Sequence, residues 1–262
     1  MKSTMFIMQD CSTCKMQTVM VPVLVYSGSV LATRPVSADR FGRTHGSPLG
    51  RWGKVYAFYC IECHELSMKA TKEQVKQLQA EFRSVEKSSA ADKYKVFFVL
   101  GNGYQRLLFL DDSLFSVEAD RLLRRAVQAD PKQFAAYNCL SALYITTSTK
   151  MKGFQAALEF ATKALERAGD AVEKETALSN MSTAYANMKQ YKKAVECMES
   201  AQHITPTAEK HYALGLCFLE IKDYVRAKRE FEAYLAAEDL ENKLYDLSEA
   251  RAAVEICERR LK

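Results

Sequence analysis

Residues 178–206 read LSNMSTAYANMKQYKKAVECMESAQHITP, and residues 211–239 read HYALGLCFLEIKDYVRAKREFEAYLAAED. Laid over one another 33 positions apart, the two stretches agree where side-chain size matters. Met181 meets Leu214, Ser182 meets Gly215 and Tyr185 meets Phe218; further on, Tyr191 meets Tyr224, Ala194 meets Ala227 and Met198 meets Phe231. Self-similarity at a fixed period of roughly 20–50 residues marks an array of supersecondary units. The apolar residues recur at helical spacing, so each unit reads as two helices. Ser182 and Gly215 are small because two helices cross there closely, and Ala194 and Ala227 serve the same crossing from the second helix. The larger residues fill the space around them. Pro206 follows the second helix of its pair, where the missing N–H and fixed φ stop it.

Working outward, an earlier unit carries Tyr137, Leu140, Ser141, Tyr144, Phe154, Ala157 and Ala164. Tyr144 to Ala157 is 13 positions against 9 from Tyr185 to Ala194, which places four extra residues in the inter-helix turn around Thr146-Thr147-Ser148-Thr149-Lys150. A more degenerate first unit has Leu100, Gly101 and Tyr104 on one helix and Leu123, Ala126 and Pro131 on the next. At the other end, Leu244, Leu247, Val254, Cys257 and Leu261 form one apolar face opposite a charged one. That pattern predicts a capping helix closing the end of a solenoid. Cys139, Cys197, Cys217 and Cys257 all fall within helices and read as packing residues.

The pattern resembles the tetratricopeptide repeat (TPR) family. That family places a large residue, a leucine, a small residue and an aromatic on the first helix of each unit. A small alanine and an aromatic follow on the second helix, and then a proline. Leu178, Met181, Ser182, Tyr185, Tyr191, Ala194, Ala201 and Pro206 match it, as do Leu214, Gly215, Phe218, Tyr224, Ala227 and Phe231, with Asp239 in place of the proline. The resemblance covers residues 93–262. It implies a concave face, lined by the first helix of each pair, that takes up an extended peptide or a helix. Asn180, Tyr137, Lys210 and His211 are the candidate groove residues. A specialised version of the family grips the C-terminal carboxylate of heat-shock chaperones through Lys, Asn and Arg. Here Asn180 falls on the central asparagine position, but Asn138, Ala142, Glu209 and Ala213 stand where the other clamp residues belong. A chaperone clamp is therefore not expected.

Ahead of the repeats lie two Cys-x-x-Cys pairs, Cys11/Cys14 and Cys60/Cys63. Four thiolates in two tight pairs are what a tetrahedral structural Zn2+ site requires. Each pair adjoins strand-like sequence, Val19 to Tyr26 and Lys54 to Tyr59, so residues 1–70 read as a small zinc-ribbon-like β module. Cys14 and Cys60 are 46 positions apart, so an insertion separates the knuckles. Cys60-Ile61-Glu62-Cys63-His64 also matches a c-type haem attachment, but that reading leaves Cys11 and Cys14 unexplained and no export signal is visible. The insertion carries Arg34, Arg40, Arg43 and Arg51, with Lys54 just beyond and Trp52 among them. Arginines beside an aromatic suit phosphate contact and base stacking. Five cations without a repeated pattern read more simply as a solvated loop.

Between module and array, Thr71-Lys72-Glu73-Gln74 has the form of a capping box, and Val75, Leu78, Phe82 and Val85 follow as one stripe. The expected organisation is a β zinc-ribbon-like module (1–70), a connecting helix (71–92), an array of three to four units (93–240) and a capping helix (241–262), mainly α overall. Residues 1–92 hold 12 Lys+Arg against 8 Asp+Glu, so four of the five net positive charges lie at the cysteine-bearing end. No apolar run approaches the ~20 residues that span a bilayer, which points to a cytoplasmic or nuclear protein. Gly101-Asn102-Gly103 lacks the glycine and lysine of a phosphate-binding turn, and no His-Glu-x-x-His occurs. The reading is a non-catalytic adaptor or scaffold that binds a protein segment in its groove and uses the zinc module as a second interaction surface. The alternative is a nucleic-acid-associated protein that uses the basic loop.

Overall fold

The computed structural model describes residues 8–10, 17–26, 33–35, 54–60, 66–70, 84–106, 112–237 and 247–262, the first five segments as backbone. The chain divides into two compact units, Met1–Leu143 and Tyr144–Lys262.

In the first unit the strands are β1 (Met8–Asp10), β2 (Gln17–Tyr26), β3 (Thr33–Pro35), β4 (Lys54–Cys60) and β5 (Leu66–Ala70). All pairings are antiparallel, with β1, β3 and β4 paired to β2 and β5 to β4. Within β2, β1 pairs with Gln17 to Val19 and β3 with Val23 to Val25, so, among the described residues, 20–22 pair with β4 alone. Pro22, which has no N–H to give a ladder, falls in that interval. Met20 lies opposite Cys60 and Tyr26 opposite Lys54. The Asp10–Gln17 end of one hairpin and the Cys60–Leu66 end of the other therefore lie at the same end of the sheet.

Helices α1 (Ala90–Arg106) and α2 (Asp112–Ala129) pack against each other and touch the sheet at β2 and β3. Ser89 caps α1, its hydroxyl accepting the Asp92 N–H and donating to the Asp92 carboxylate. Gly101 is the crossing point expected from the sequence. A Cβ there would stand 2.8 Å from Leu123 Cγ. Leu100, Tyr104, Leu123 and Ala126 are buried around it. Of the connecting helix expected over residues 71–92, the stretch 71–83 lies outside the described residues; Val85 is described and buried. Helix α3 (Phe134–Thr147) begins in this unit.

The second unit stacks α4 (Met151–Leu165), α5 (Ala171–Asn187), α6 (Tyr191–Ile204), α7 (Ala208–Glu220), α8 (Tyr224–Ala236) and α9 (Leu247–Leu261), each against the next. The repeat is visible at atomic detail. Ser182 donates to Ala194 O at 2.8 Å across its crossing, and a Cβ on Gly215 would stand 2.9 Å from the Phe231 ring. The two inter-helix turns, 33 residues apart, close identically: Gln190 N–H reaches Tyr185 O and Asp223 N–H reaches Phe218 O, both at 2.9 Å. Lys189 (φ 59°) and Lys222 (φ 63°) take the left-handed position that this motif requires and that glycine usually occupies. A cation closes over the aromatic of each unit, Lys193 over Tyr185 and Arg226 over Phe218.

The core runs from Ala194 and Met198 through Tyr212, Phe218, Phe231 and Tyr234 to Ala250 and Cys257. Each fully buried large side chain contributes about 1.5–3 kcal/mol. The described part of the capping segment is α9; its inward stripe ends at Cys257, because Leu261 is 49% exposed.

One expectation changes. The turn between α3 and α4, residues 148–150, is as long as the turn between α5 and α6, residues 188–190. The four extra residues extend the helices instead: α3 runs one residue further past Ser141 than α5 runs past Ser182, and α4 begins three residues earlier before Ala157 than α6 does before Ala194. Continuing the helices satisfies backbone groups that a longer loop would leave to water. Gly153 makes this fit, since a Cβ there would strike the Ser148 side chain.

Candidate peptide-binding groove

On α5, Thr176, Asn180, Thr183 and Asn187 follow spacings of 4, 3 and 4, and so share one face. On α7, Glu209, Ala213, Leu216 and Glu220 repeat those positions 33 residues later. All eight are half-buried or exposed. Thr176 and Thr183 turn their hydroxyls back onto the carbonyls of Val172 and Ser179, which leaves α5 a mild, uncharged surface. The α7 stripe has a carboxylate at each end and an apolar middle, where Leu216 is 43% exposed.

A polar frame holds these helices. Lys210 of α7 pairs with Glu175 of α5 at 2.9 Å and donates to Thr205 O at 2.7 Å, while Ser179 donates to the same carboxylate. His211 faces the other way. Its Nδ1 lies 2.7 Å from Glu230 of α8 and its Nε2 2.9 Å from the Gln202 amide nitrogen of α6. Gln202 accepts the Thr207 N–H through Oε1, so its nitrogen donates to His211 Nε2 and the His211 proton sits on Nδ1, directed at Glu230. Arg229 closes the chain on the outer side of Glu230. Tyr212 donates to Glu249 at 3.0 Å and ties α7 to α9.

Of the four groove candidates, the structure places only Asn180 on this open face, half-buried on α5. Tyr137 is 5% exposed and packs in the core, and Lys210, 9% exposed, is a strut between helices. His211 is likewise engaged by Glu230 and Gln202. Sequence reasoning missed Leu216, which the 33-residue register would have found opposite Thr183. The four helical cysteines behave as packing residues. Burial pushes the thiols of Cys139 and Cys217 up to about 11, with Glu220 adding to the effect at Cys217, and raises Cys197 and Cys257 as well. Such thiols stay protonated and unreactive near neutrality.

Cys11, Cys14 and Cys63 lie outside the described residues, as do Arg40, Arg43 and Arg51. Cys60 ends β4, Lys54 begins it and Arg34 is in β3, all described as backbone. Among the described residues no group of three His, Cys, Asp or Glu could hold a metal, and no helix is long and apolar enough to cross a membrane.

No protein-family model matches the chain, and none of the curated proteins compared with it matches. Solved structures do. The chain is similar to MamA from Desulfovibrio magneticus RS-1, residues 41 to the end, at 21% identity and a TM-score of 0.50, covering 66% of this chain and 88% of that one. A double mutant of MamA RS-1 matches at 20% identity and a TM-score of 0.51, covering 66% and 87%. The APC/C hetero-tetramer Cut9-Hcn1 matches at 16% identity and a TM-score of 0.53, covering 72% of this chain and 33% of that one. What is shared is the fold. It is a tetratricopeptide-type helical repeat.

Proposed function

We propose that this protein is a non-catalytic adaptor that holds a segment of a partner protein against the face formed by α5 and α7. The observation that carries the proposal is the pair of stripes in one register, Thr176 to Asn187 and Glu209 to Glu220, on helices fixed by the Lys210–Glu175 strut. A largely polar, partly exposed face with one unburied leucine between two carboxylates suits an extended or helical segment docked through backbone contacts and one apolar anchor. In this reading Asn180 would bond the backbone of such a segment, and Leu216 would pack beneath its anchor.

A structural Zn2+ held by Cys11, Cys14, Cys60 and Cys63 belongs to the same reading. The donor set suits zinc, and the strand ends that flank the two pairs lie at one end of the sheet, as a shared metal would need. Bound there, the metal would contribute folding energy to the β module. It would leave that module as a second contact surface in a larger assembly.

The test is site-specific photo-crosslinking. A photoreactive side chain at Asn180 or Leu216 should capture a protein partner in cell extract, and one at the exposed Val225, on α8 and away from the stripe, should not. Equal capture from all three positions would refute the groove. Capture of nucleic acid instead would favour a role for the basic loop of the β module.

A further inference from the structure

The extra residues that lengthen α4 also extend a second surface. A groove of about 540 Å³ runs between α4 and the α5–α6 turn. Gln155, Leu158 and Thr162 line it from α4, and Tyr185, Met188 and Gln190 from the neighbouring hairpin. Met151 lies four residues before Gln155 on the same helical stripe and is 52% exposed, so it prolongs the apolar floor at the turn end.

That end carries unbalanced charge. Residues 146–155 and 186–195 contain Lys150, Lys152, Lys189, Lys192 and Lys193 and no Asp or Glu. All five are exposed, and none forms an ion pair among the described residues. Lys193 lines the groove, Lys189 lies between two lining residues, and Lys152 is one turn before Gln155. The acids further along are already engaged: Glu159 holds Lys163 at 2.5 Å and Glu166 contacts Arg167 at 3.2 Å. The next hairpin differs, since Asp223 takes up Arg226 and Glu258 takes up Lys228.

We propose that this groove is a second docking surface, distinct from the α5–α7 face, for an acidic segment of a partner protein. The segment sets an aliphatic or aromatic side chain on Met151, Leu158 and Tyr185, and its carboxylates meet Lys152, Lys189 and Lys193. A peptide fits better than a nucleic acid, because the floor is apolar and the unpaired lysines cluster at the turn end of the groove instead of along its length, where a phosphate chain would need them.

The experiment selects phage-displayed random peptides on the full chain and measures the recovered peptides by fluorescence anisotropy. The recovered class should combine clustered Asp/Glu with one large apolar residue. A Lys152→Glu/Lys189→Glu/Lys193→Glu variant should stay folded and lose in melting only what the Lys193–Tyr185 contact contributes, since all three side chains are exposed, and should bind these peptides at least about tenfold more weakly. Met151→Ala should weaken them about threefold through lost apolar contact, and Leu216→Glu should leave them unchanged. The proposal is overturned by the absence of an acidic class or by acidic peptides that bind the triple variant as tightly. It is overturned equally by peptides lost only with Leu216→Glu, which would belong to the α5–α7 face, or by an oligonucleotide or anionic vesicle that binds through these lysines when no peptide does.

Discussion

The α5–α6 and α7–α8 hairpins are the same object built with different side chains. Positions that make the fold agree in role: a small residue at the crossing, an aromatic under a cation, a lysine in the left-handed turn position. Positions that face outward diverge. Thr183 stands where Leu216 does, Asn187 where Glu220 does, and Gln190 where Asp223 does. A repeat thus separates its own structural residues from those free to recognise something, and the comparison can be attacked at each level.

The largest effects lie in the packing. Phe231→Ala removes a fully buried ring and should cost about 4 kcal/mol in urea unfolding, while the equivalent Met198→Ala should cost about 2–3 kcal/mol. Equal costs would mean that the two cores are not differently filled. At the crossings, Gly215→Ala drives a methyl into the Phe231 ring and should destabilise by about 1–3 kcal/mol. Ser182→Ala loses only one buried hydrogen bond and should cost about 1 kcal/mol. A tolerated Gly215→Ala would show that the helices have room to separate.

At the turns, Asp223 caps α8 by accepting the Arg226 N–H, whereas Gln190 gives α6 no side-chain cap. Asp223→Ala should cost about 1 kcal/mol at pH 7, and Gln190→Asp should stabilise by about half that. The hydrogen bond from Arg226 holds the Asp223 carboxyl below its ordinary value of 3.8. Its contribution is therefore present above that value and lost as pH falls through the lower, folded one. The penalty of Asp223→Ala should shrink in acid melts below that point and stay constant above it. Smallest of all, Lys189→Gly and Lys222→Gly should each stabilise by about 0.5 kcal/mol, as left-handed backbone is relieved at some cost in chain entropy. Any loss of stability at either site would assign those lysines a contact that the turn geometry does not reveal.

The crossing residues were legible because side-chain size at a fixed register is a local constraint. Ser182, Gly215, Ala194 and Gly101 could be read without knowing what they touch. Lys210 and His211 could not be read this way. Their partners, Glu175 and Glu230, lie 35 residues before and 19 after, on other helices, and only the fold reveals that two polar side chains near the groove are tied up inside it. The Thr-Thr-Ser-Thr stretch looked like loop by composition, yet helix continues into it from one side and resumes early on the other. The zinc ligands were read from spacing alone, and three of the four lie outside the described residues.

The most direct test of the central claim is quantitative co-purification from nuclease-treated native extract, comparing the parent chain with a Leu216→Glu variant shown to melt at the same temperature. The account predicts at least one protein retained by the parent and reduced about tenfold or more by the substitution. Identical retention by both chains, or partners that vanish with nuclease alone, would contradict it.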